Sequence, residues 1–470
     1  MSKEYYTTIG LEIHAELNTK SKMFCGCLNN PDEEKPNTNI CPVCMAHPGT
    51  LPVCNKKAIE SVIRVGLAVG GNIANFSEFD RKNYFYPDIP KAYQISQYKH
   101  PIVSGGKLAG VDITRVHLEE DTANSKHDKG DYSVVDFNRA GVPLMELVTE
   151  PVIHDTETLV RFARELQLIL RYLGVSDANM EKGQMRVEVN ISVSPDKEKL
   201  GVPVEVKNIA SFRSAERAAI YEQKRMIELW EEGKQSEIIK ETRGWDDNKQ
   251  ATFSQRSKES AEDYRYFPDP DIPKFKLHEI FNIKELESDL PELPEAKRSR
   301  YRKDYGIKDE DIESYVTNRD LAEWFEGVAG KLNGMEQIKT ASNYITSDYL
   351  GLAKNNPEVH LPSTEHFAEL IRMVSDGAIS SRGAKDILAI IVIKGESPME
   401  IAKRDGLLQS NDEGALKGIV QKIIDANPEV VATYKGGKEN AIMSLVGQIM
   451  KETKGSANPA IVQKLLKELI

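Results

Sequence analysis

No run of apolar residues in this chain approaches the ~20 that a membrane-spanning helix needs. The opening Met1–Ile9 has neither a hydrophobic signal region nor an Arg-rich amphipathic character. These absences make a reducing cytosol the expected compartment. Cysteine is scarce, five in 470 residues, and in that compartment thiols serve as metal ligands or stay free rather than form disulfides. There is no Gly-x4-Gly-Lys-Ser/Thr loop, which excludes the ordinary P-loop way of holding a nucleotide. Internal repeats and low-complexity tracts are also missing. A net charge of −11 argues against a protein that coats nucleic acid non-specifically, while leaving room for a local basic surface. The acidity is uneven, because Leu407–Ile470 carries eight basic and seven acidic residues. The body is acidic and the tail near neutral, a weak pointer to a polyanion at the tail.

What is present begins with the first fifty-four residues. Glu12, His14 and Glu16 alternate with Leu11, Ile13, Ala15 and Leu17, which reads as a β-strand with one buried and one wet face. Two carboxylates and an imidazole on a wet face can hold a divalent cation or move protons. Cys25-x-Cys27 is followed, after thirteen intervening residues, by Cys41-Pro42-Val43-Cys44, close to zinc-ribbon spacing. Four thiolates in two pairs close a tetrahedral site without further ligands, and a closed site is structural. Cys54 is a spare thiol or a replacement for one of the four, and unrelated buried cysteines are the bland alternative.

Arg186–Val193 repeats the design, with Val187, Val189, Ile191 and Val193 on one side and Arg186, Glu188, Asn190 and Ser192 on the other. Val134–Arg139 and Pro203–Asn208 are further strand candidates. Asp155 can cap a helix running to Leu173, with Leu159, Phe162, Leu166 and Ile169 on one face and Gly174 as its stop. A second helix runs from about Ser214 to Glu232. Hydrophobic content of 40% supports buried cores, and the length suggests about two to four domains. The expected class is α+β. A mainly antiparallel sheet with helices on one face and an open polar face occupies residues 1–293. Helices alone follow over 294–405, with segments at Asp320–Ala329, Ala341–Leu352, Ser363–Ser375, Ser381–Ile393 and Pro398–Asp405. A last small all-α unit covers 406–470, broken at Lys435–Lys438 and Lys454–Pro459.

More acids join the wet-face set: His117-Leu118-Glu119-Glu120-Asp121, then Glu146 and Glu150 within Pro143–Pro151. A carboxylate-rich pocket with an imidazole suits Mg²⁺, which keeps waters and takes phosphate oxygens as partners, and Mg²⁺ with a nucleotide favours phosphoryl transfer. For any one of these acids the plain alternative is a solvated face. Arg139, Arg186, Lys207 and Arg217 are cations expected on the same face, where they could meet phosphate. Arg81–Asp88 interleaves basic and aromatic residues, a pattern that fits either stacking on an unpaired base or a packed β-edge.

Gly10–Leu17, Asp80–Pro87 (DRKNYFYP), Tyr93–Gln97, Leu118–Asp121, Asn138–Pro151, Glu205–Phe212 (EVKNIASF), Asp263–Pro268 (DYRYFP), Leu445–Met450 (LVGQIM) and Lys454–Pro459 resemble, in order and over essentially the whole chain, the GatB family, the B-subunit family of aspartyl/glutamyl-tRNA amidotransferases. The resemblance implies a heterotrimer with an amidase subunit, which releases ammonia from glutamine, and a small third subunit. It implies that the GatB chain uses ATP and Mg²⁺ to phosphorylate the side-chain carboxylate of mischarged Glu-tRNA(Gln) or Asp-tRNA(Asn), and that channelled ammonia then displaces phosphate. It further implies a cradle domain holding this site, a helical domain, and a helical tail that grips tRNA. By resemblance, Mg²⁺ lies near Glu12, His14, Glu119 or Glu120, and Glu150, with Glu12, His14, Glu120 and Glu150 in the chemistry and Arg139, Arg186, Lys207 and Arg217 at ATP. Not every family member has the four cysteines, so zinc at Cys25, Cys27, Cys41 and Cys44 is structural. Cys54 stands where an aliphatic residue is more usual, which suggests packing. The lack of a recognisable glutaminase nucleophile agrees with that task belonging to another chain. A non-catalytic zinc-containing tRNA-binding scaffold and a stand-alone metal hydrolase are the rival readings.

Overall fold

The computed structural model describes residues 4–126, 130–257, 261–409, 413–453 and 457–470. The chain forms two compact units, Met1–Pro294 and Glu295–Ile470. Part of one expected break, Lys454, Gly455 and Ser456, lies outside the described residues.

The first unit is organised by strand alternation. β1 (Tyr6–Glu16), β2 (Val111–Glu120), β3 (Pro143–Thr149), β4 (Met185–Ser194), β5 (Val204–Lys207), β6 (Glu241–Asp246) and β7 (Ala251–Ser257) belong to one ten-stranded sheet, in the order β7-β6-β5-β4-β1-β3-β2. Its neighbours along this path are antiparallel apart from the parallel β5–β6 pair. Ile9, Leu11, Ile13 and Ala15 of β1 are buried together with Val187, Val189 and Ile191 of β4 and Met145 and Leu147 of β3. Three helices cover this apolar face: α1 (Lys56–Ala68), α2 (Thr156–Tyr172) and α3 (Phe212–Glu231). Asp155 caps α2 by accepting the Thr158 N–H at 2.7 Å, and Leu159, Phe162, Leu166 and Ile169 bury its core-facing stripe. Each such side chain contributes about 1.5–3 kcal/mol on full burial, so the apolar face decides how the sheet is seated. The polar face is left over by parity.

Two strand expectations shorten. Val134–Asp136 is paired in a ribbon with Asn124–Lys126, and Arg139 falls in the turn beyond it, where Val142 N–H bonds its carbonyl at 2.9 Å. The other strand ends at Lys207 because Asn208 takes a left-handed φ of 63°.

The second unit is helical. Arg319–Ala329, Thr364–Ser375, Ser381–Lys394 and Pro398–Arg404 lie within a residue or so of their expected spans. The Ala341–Leu352 segment sits in a longer run, Met335–Asn343 and Leu350–Asn355 joined by a π-helical turn at Tyr344–Tyr349. Leu416, Val420, Leu445, Ile449, Val462 and Leu465 form a separate apolar cluster near the C-terminus. Among the described residues, no helix is long and apolar enough to cross a membrane.

A charge knot ties the start of the second unit. The Glu326 carboxylate accepts from Lys297 Nζ at 2.8 Å, Arg300 Nη2 at 2.7 Å and Tyr301 Oη at 2.7 Å. Burial alone would raise its pKa, but these three donors hold it down at about 2. A depressed carboxylate contributes stability above its unfolded value near 4.5 and loses it as pH falls towards 2. Glu326→Gln is therefore expected to cost about 1–2 kcal/mol at pH 7, discounted for partial exposure. In urea titrations followed by circular dichroism, the difference from the unsubstituted protein should shrink between pH 4.5 and 2.

Candidate functional site

Direct cross-strand pairing builds the site from residues far apart in the chain. Opposed residues of an antiparallel pair project from the same face. His14 lies opposite Arg186 on β4 and opposite Glu146 on β3, and Glu146 in turn lies opposite His117 on β2. The polar face thus carries the row Arg186–His14–Glu146–His117 across four strands. Glu12 lies opposite Glu188 in the next row.

Glu146 is the centre of this arrangement. Its Oε2 is 3.4 Å from Nε2 of His14 and 3.4 Å from Nε2 of His117, and its Oε1 is 3.5 Å from Arg115 Nη2. Nε2 of His14 is also 3.6 Å from Glu119 and 3.8 Å from Glu12. Glu119 accepts the Ser96 hydroxyl at 2.9 Å. Towards β5, Lys207 Nζ contacts Glu188 at 2.7 Å and Glu205 at 3.7 Å, and Thr242 donates to Glu205 at 2.7 Å.

Burial opposes ionisation of every carboxyl here, and the neighbours decide the outcome. Burial would raise Glu146, but the two imidazoles hold it well below the usual carboxylate range. Burial would raise Glu119 as well, and its hydrogen bond to His117 lowers it instead. Glu12 lacks such support, and burial plus the charges of Glu146 and Glu188 push it up to about 7. Burial would pull His14 down, but its hydrogen bond to Glu146 and the charges of Glu146, Glu188 and Glu119 raise it to about 9.

The donor set fits a divalent cation. One ligand atom from each of Glu12, His14 and Glu146 lies within 4.8 Å of the others, and the same holds for His117, Glu119 and Glu146 and for Glu12, Glu188 and Glu205. Nδ1 of His14 is buried without a hydrogen-bond partner. Carboxylates with imidazole suit Mg²⁺ or Mn²⁺.

Of the expected residues, Glu12, His14, Glu119, Arg186 and Lys207 meet on this face. Others lie elsewhere, for identifiable reasons. Glu120 follows Glu119, so the pleat turns it away; it accepts from Lys91 Nζ at 2.8 Å and the Ile95 N–H at 3.1 Å. Glu150 follows the last residue of β3, four residues along from Glu146, and accepts the Thr114 hydroxyl at 2.8 Å. Arg217 sits on α3, in the helix layer, and bonds Gln250 at 3.0 Å. Arg139 donates from its turn to the carbonyls of Thr122 at 2.9 Å and Ala123 at 3.0 Å, and reaches Asp121 at 3.8 Å, the acid that also holds Arg186 at 2.9 Å. Glu188 and Glu205 enter the cluster without having been expected there, and Glu146, expected in the wet-face acid set but not in the ligand set that the resemblance implies, stands at its centre. The signal for Glu188 was its place on the polar side of Arg186–Val193; Glu146 stood in an acid-bearing segment whose register was not visible.

The sulfurs of Cys25, Cys27, Cys41 and Cys44 also lie within 4.8 Å of one another, a set compatible with zinc. Cys54 packs against the apolar core, and burial pushes its thiol up to about 12.

Comparison with known proteins gives one consistent result. A family model described as the GatB/GatE catalytic domain matches residues 7–282, and a second, described as the GatB domain, matches 323–470. The aspartyl/glutamyl-tRNA(Asn/Gln) amidotransferase B-subunit of Caldanaerobacter subterraneus is 44% identical over 99% of both chains. The proteins of the same name from Thermodesulfovibrio yellowstonii, at 43%, and Persephonella marina, at 42%, each align with 99% of this chain and with 99% and 100% of their own length.

The raised pKa values carry a stability consequence. Glu12 and His14 both hold protons more tightly folded than unfolded, so their contribution is complete at low pH and is lost as pH rises through about 7 and about 9. In metal-free protein, an NMR titration of the His14 imidazole is expected to show a midpoint near 9, and Glu146→Gln should move it towards the ordinary value of about 6.5.

Proposed function

The chain belongs to the GatB/GatE catalytic-domain family, and from that premise we propose that it is the B-subunit of a tRNA-dependent amidotransferase that activates the side-chain carboxylate of Glu-tRNA(Gln), Asp-tRNA(Asn) or both, using ATP. The observation that carries the chemical part is the row Arg186–His14–Glu146–His117, a buried acid–imidazole cluster flanked by cations on the polar sheet face. A carboxylate is a poor electrophile. Attack of its oxygen on the γ-phosphorus of ATP, with the β–γ bridging oxygen leaving in ADP, makes an acyl phosphate. Ammonia then adds to the acyl carbon, and phosphate leaves with the C–O bond electrons to give the amide.

Little covalent work falls to the protein in such a transfer; placement and charge do most of it. Glu12, His14 and Glu146, with Glu119 beside them, would hold a divalent cation, which would supply charge neutralisation at the phosphates. Arg186 and Lys207 flank the cluster with their own carboxylates, Asp121 and Glu188, holding them in place, and are positioned to meet phosphate oxygens. Glu120 acts, in this reading, from behind the face, and Glu150 from beyond the end of β3 beside Thr114. Zinc at the four cysteines braces the loop after β1. We assign 1–293 to the catalytic domain, 294–405 to a helical domain and 406–470 to a tRNA-gripping tail. We place the protein in the cytosol, in a heterotrimer with a glutamine-hydrolysing amidase and a small third chain.

ATP turnover that appears only with the partner subunits and mischarged tRNA distinguishes this reading from a passive scaffold and from a free-standing hydrolase. His14→Ala is expected to lower carboxylate phosphorylation by about 10²-fold or more while tRNA binding stays within about twofold; equal loss of both would refute the assignment. Removal of Leu407–Ile470 is expected to weaken tRNA binding while the near- and far-ultraviolet circular dichroism of the remaining chain keeps its folded signature. Normal binding by the truncated protein would leave the tail another role.

A further inference from the structure

A ribbon of aromatic rings runs past the acid–imidazole cluster. The strand Asp80–Asn83 pairs with Tyr93–Ser96 and with Phe267–Pro268, and alternation sends Arg81 and Lys82 to opposite faces. Arg81 is fully engaged by Asp269 at 2.8 Å and Asp271 at 2.9 Å, over the Tyr93 ring. Lys82 is different. Its buried ammonium lies 4.8 Å from the Tyr264 ring and 5.9 Å from the Tyr84 ring; burial would lower its pKa, but Tyr266 and the charges of Glu119 and Glu146 raise it. Ring contacts then continue in both directions: Tyr86 to Tyr84 at 5.7 Å, Tyr84 to Tyr264 at 5.9 Å, Tyr264 to Tyr266 at 6.1 Å, and Tyr266 stacked on Tyr98 at 4.5 Å.

The two ends of this ribbon differ from its middle. Tyr84 and Tyr266, the inner rings, lie near enough to the cluster to feel the charge of Glu119, and Tyr266 that of Glu146 too. Tyr86 and Tyr98 are half exposed at 50% and 49%, and Phe85 is 75% exposed. Rings that remain half in water gain little from packing, so a core role does not account for the outer three. Lys99 and Arg265 are exposed beside Tyr98 and between Tyr264 and Tyr266. Aromatic faces interleaved with cations are complementary to an unpaired nucleic-acid strand: the rings stack bases of any identity and the cations meet the phosphodiesters.

We propose that Tyr86, Phe85 and Tyr98 form the stacking platform for the unpaired 3′ end of the tRNA, with the exposed Lys99 and Arg265 meeting its backbone. Bases stacked on the outer rings direct the aminoacyl ester towards the inner ones, on the side of Glu119 and Glu146. The inference rests on the reading of the cluster as the site of carboxylate activation, since that reading supplies the occupant.

The test uses the chain assembled with its partner subunits and a mischarged tRNA whose terminal adenine is replaced by 2-aminopurine, a base whose fluorescence falls on stacking. Binding is expected to quench the signal with the unsubstituted protein. Quenching should be weaker in Tyr98→Ala or in the double variant Phe85→Ala/Tyr86→Ala, according to which end of the ribbon holds the labelled base, and kept in Tyr98→Phe. For the alanine variants, KM for the tRNA should rise about tenfold with kcat within about twofold, the loss of one good base–ring stack. The Phe85/Tyr86 pair is solvent-exposed, so it remains informative if Tyr98→Ala destabilises the fold. Unchanged quenching and KM in both alanine variants would overturn the platform. Quenching that depends on these rings in an assembly without ATP turnover would support the platform and sink the catalytic reading instead.

Discussion

A carboxylate taken out of water needs compensation, and Glu146 is where this chain meets that requirement. Moving an isolated carboxylate into a low-dielectric interior costs several kcal/mol even after relaxation. Here two imidazoles at 3.4 Å each and a guanidinium at 3.5 Å share the compensation. The arrangement is reciprocal, because the same charge keeps His14 protonated far above its ordinary range. Once the pair exists, its neighbours are constrained too. Glu12, with fewer donors, drifts towards neutrality, and Glu188 and Glu205 draw Lys207 over them. A cluster this dense in like charge stays together because imidazoles, an ammonium and guanidiniums are threaded through it.

The fold tolerates such a cluster by separating the two faces of one sheet. The apolar residues of β1, β3 and β4 bury against α1, α2 and α3, and that burial holds the strands in register however costly the opposite face becomes. A one-residue slip of β1 would bring Leu11, Ile13 and Ala15 to the polar side and put Glu12 and His14 among the helices. The hydrophobic face therefore acts as the clamp that keeps Arg186, His14, Glu146 and His117 in one row.

The aromatic ribbon and the cysteine loop show how separate segments were added around this face. The same two-residue period that sorts β1 also sorts Arg81 from Lys82, sending one to a pair of aspartates and the other to a set of tyrosines. The four cysteines close on themselves through local contacts, with the Cys41 N–H donating to Cys44 Sγ at 3.2 Å. The ribbon is tied to the cluster, since Ser96 of its Tyr93–Ser96 strand donates to Glu119 at 2.9 Å.

By itself the sequence determined whatever has a short period. The wet and dry sides of β1 and β4, the Asp155-capped helix, the change to helices after the first unit and the four-cysteine spacing all follow from neighbours within a few residues, and the runs that match the GatB family are equally local. Only the tertiary structure decided which wet residues meet. Glu119 and Glu120 are adjacent in sequence, yet one belongs to the cluster and the other points behind it. Glu150 was separated from the cluster by its place beyond the end of β3, Arg217 by a helix, and Glu188 and Glu205 were brought in, and Glu146 put at the centre, by pairing. Periodicity is a property of one strand. Register is a property of two strands that can lie a hundred or more residues apart, fixed by the burial of the opposite face, and no local pattern encodes it.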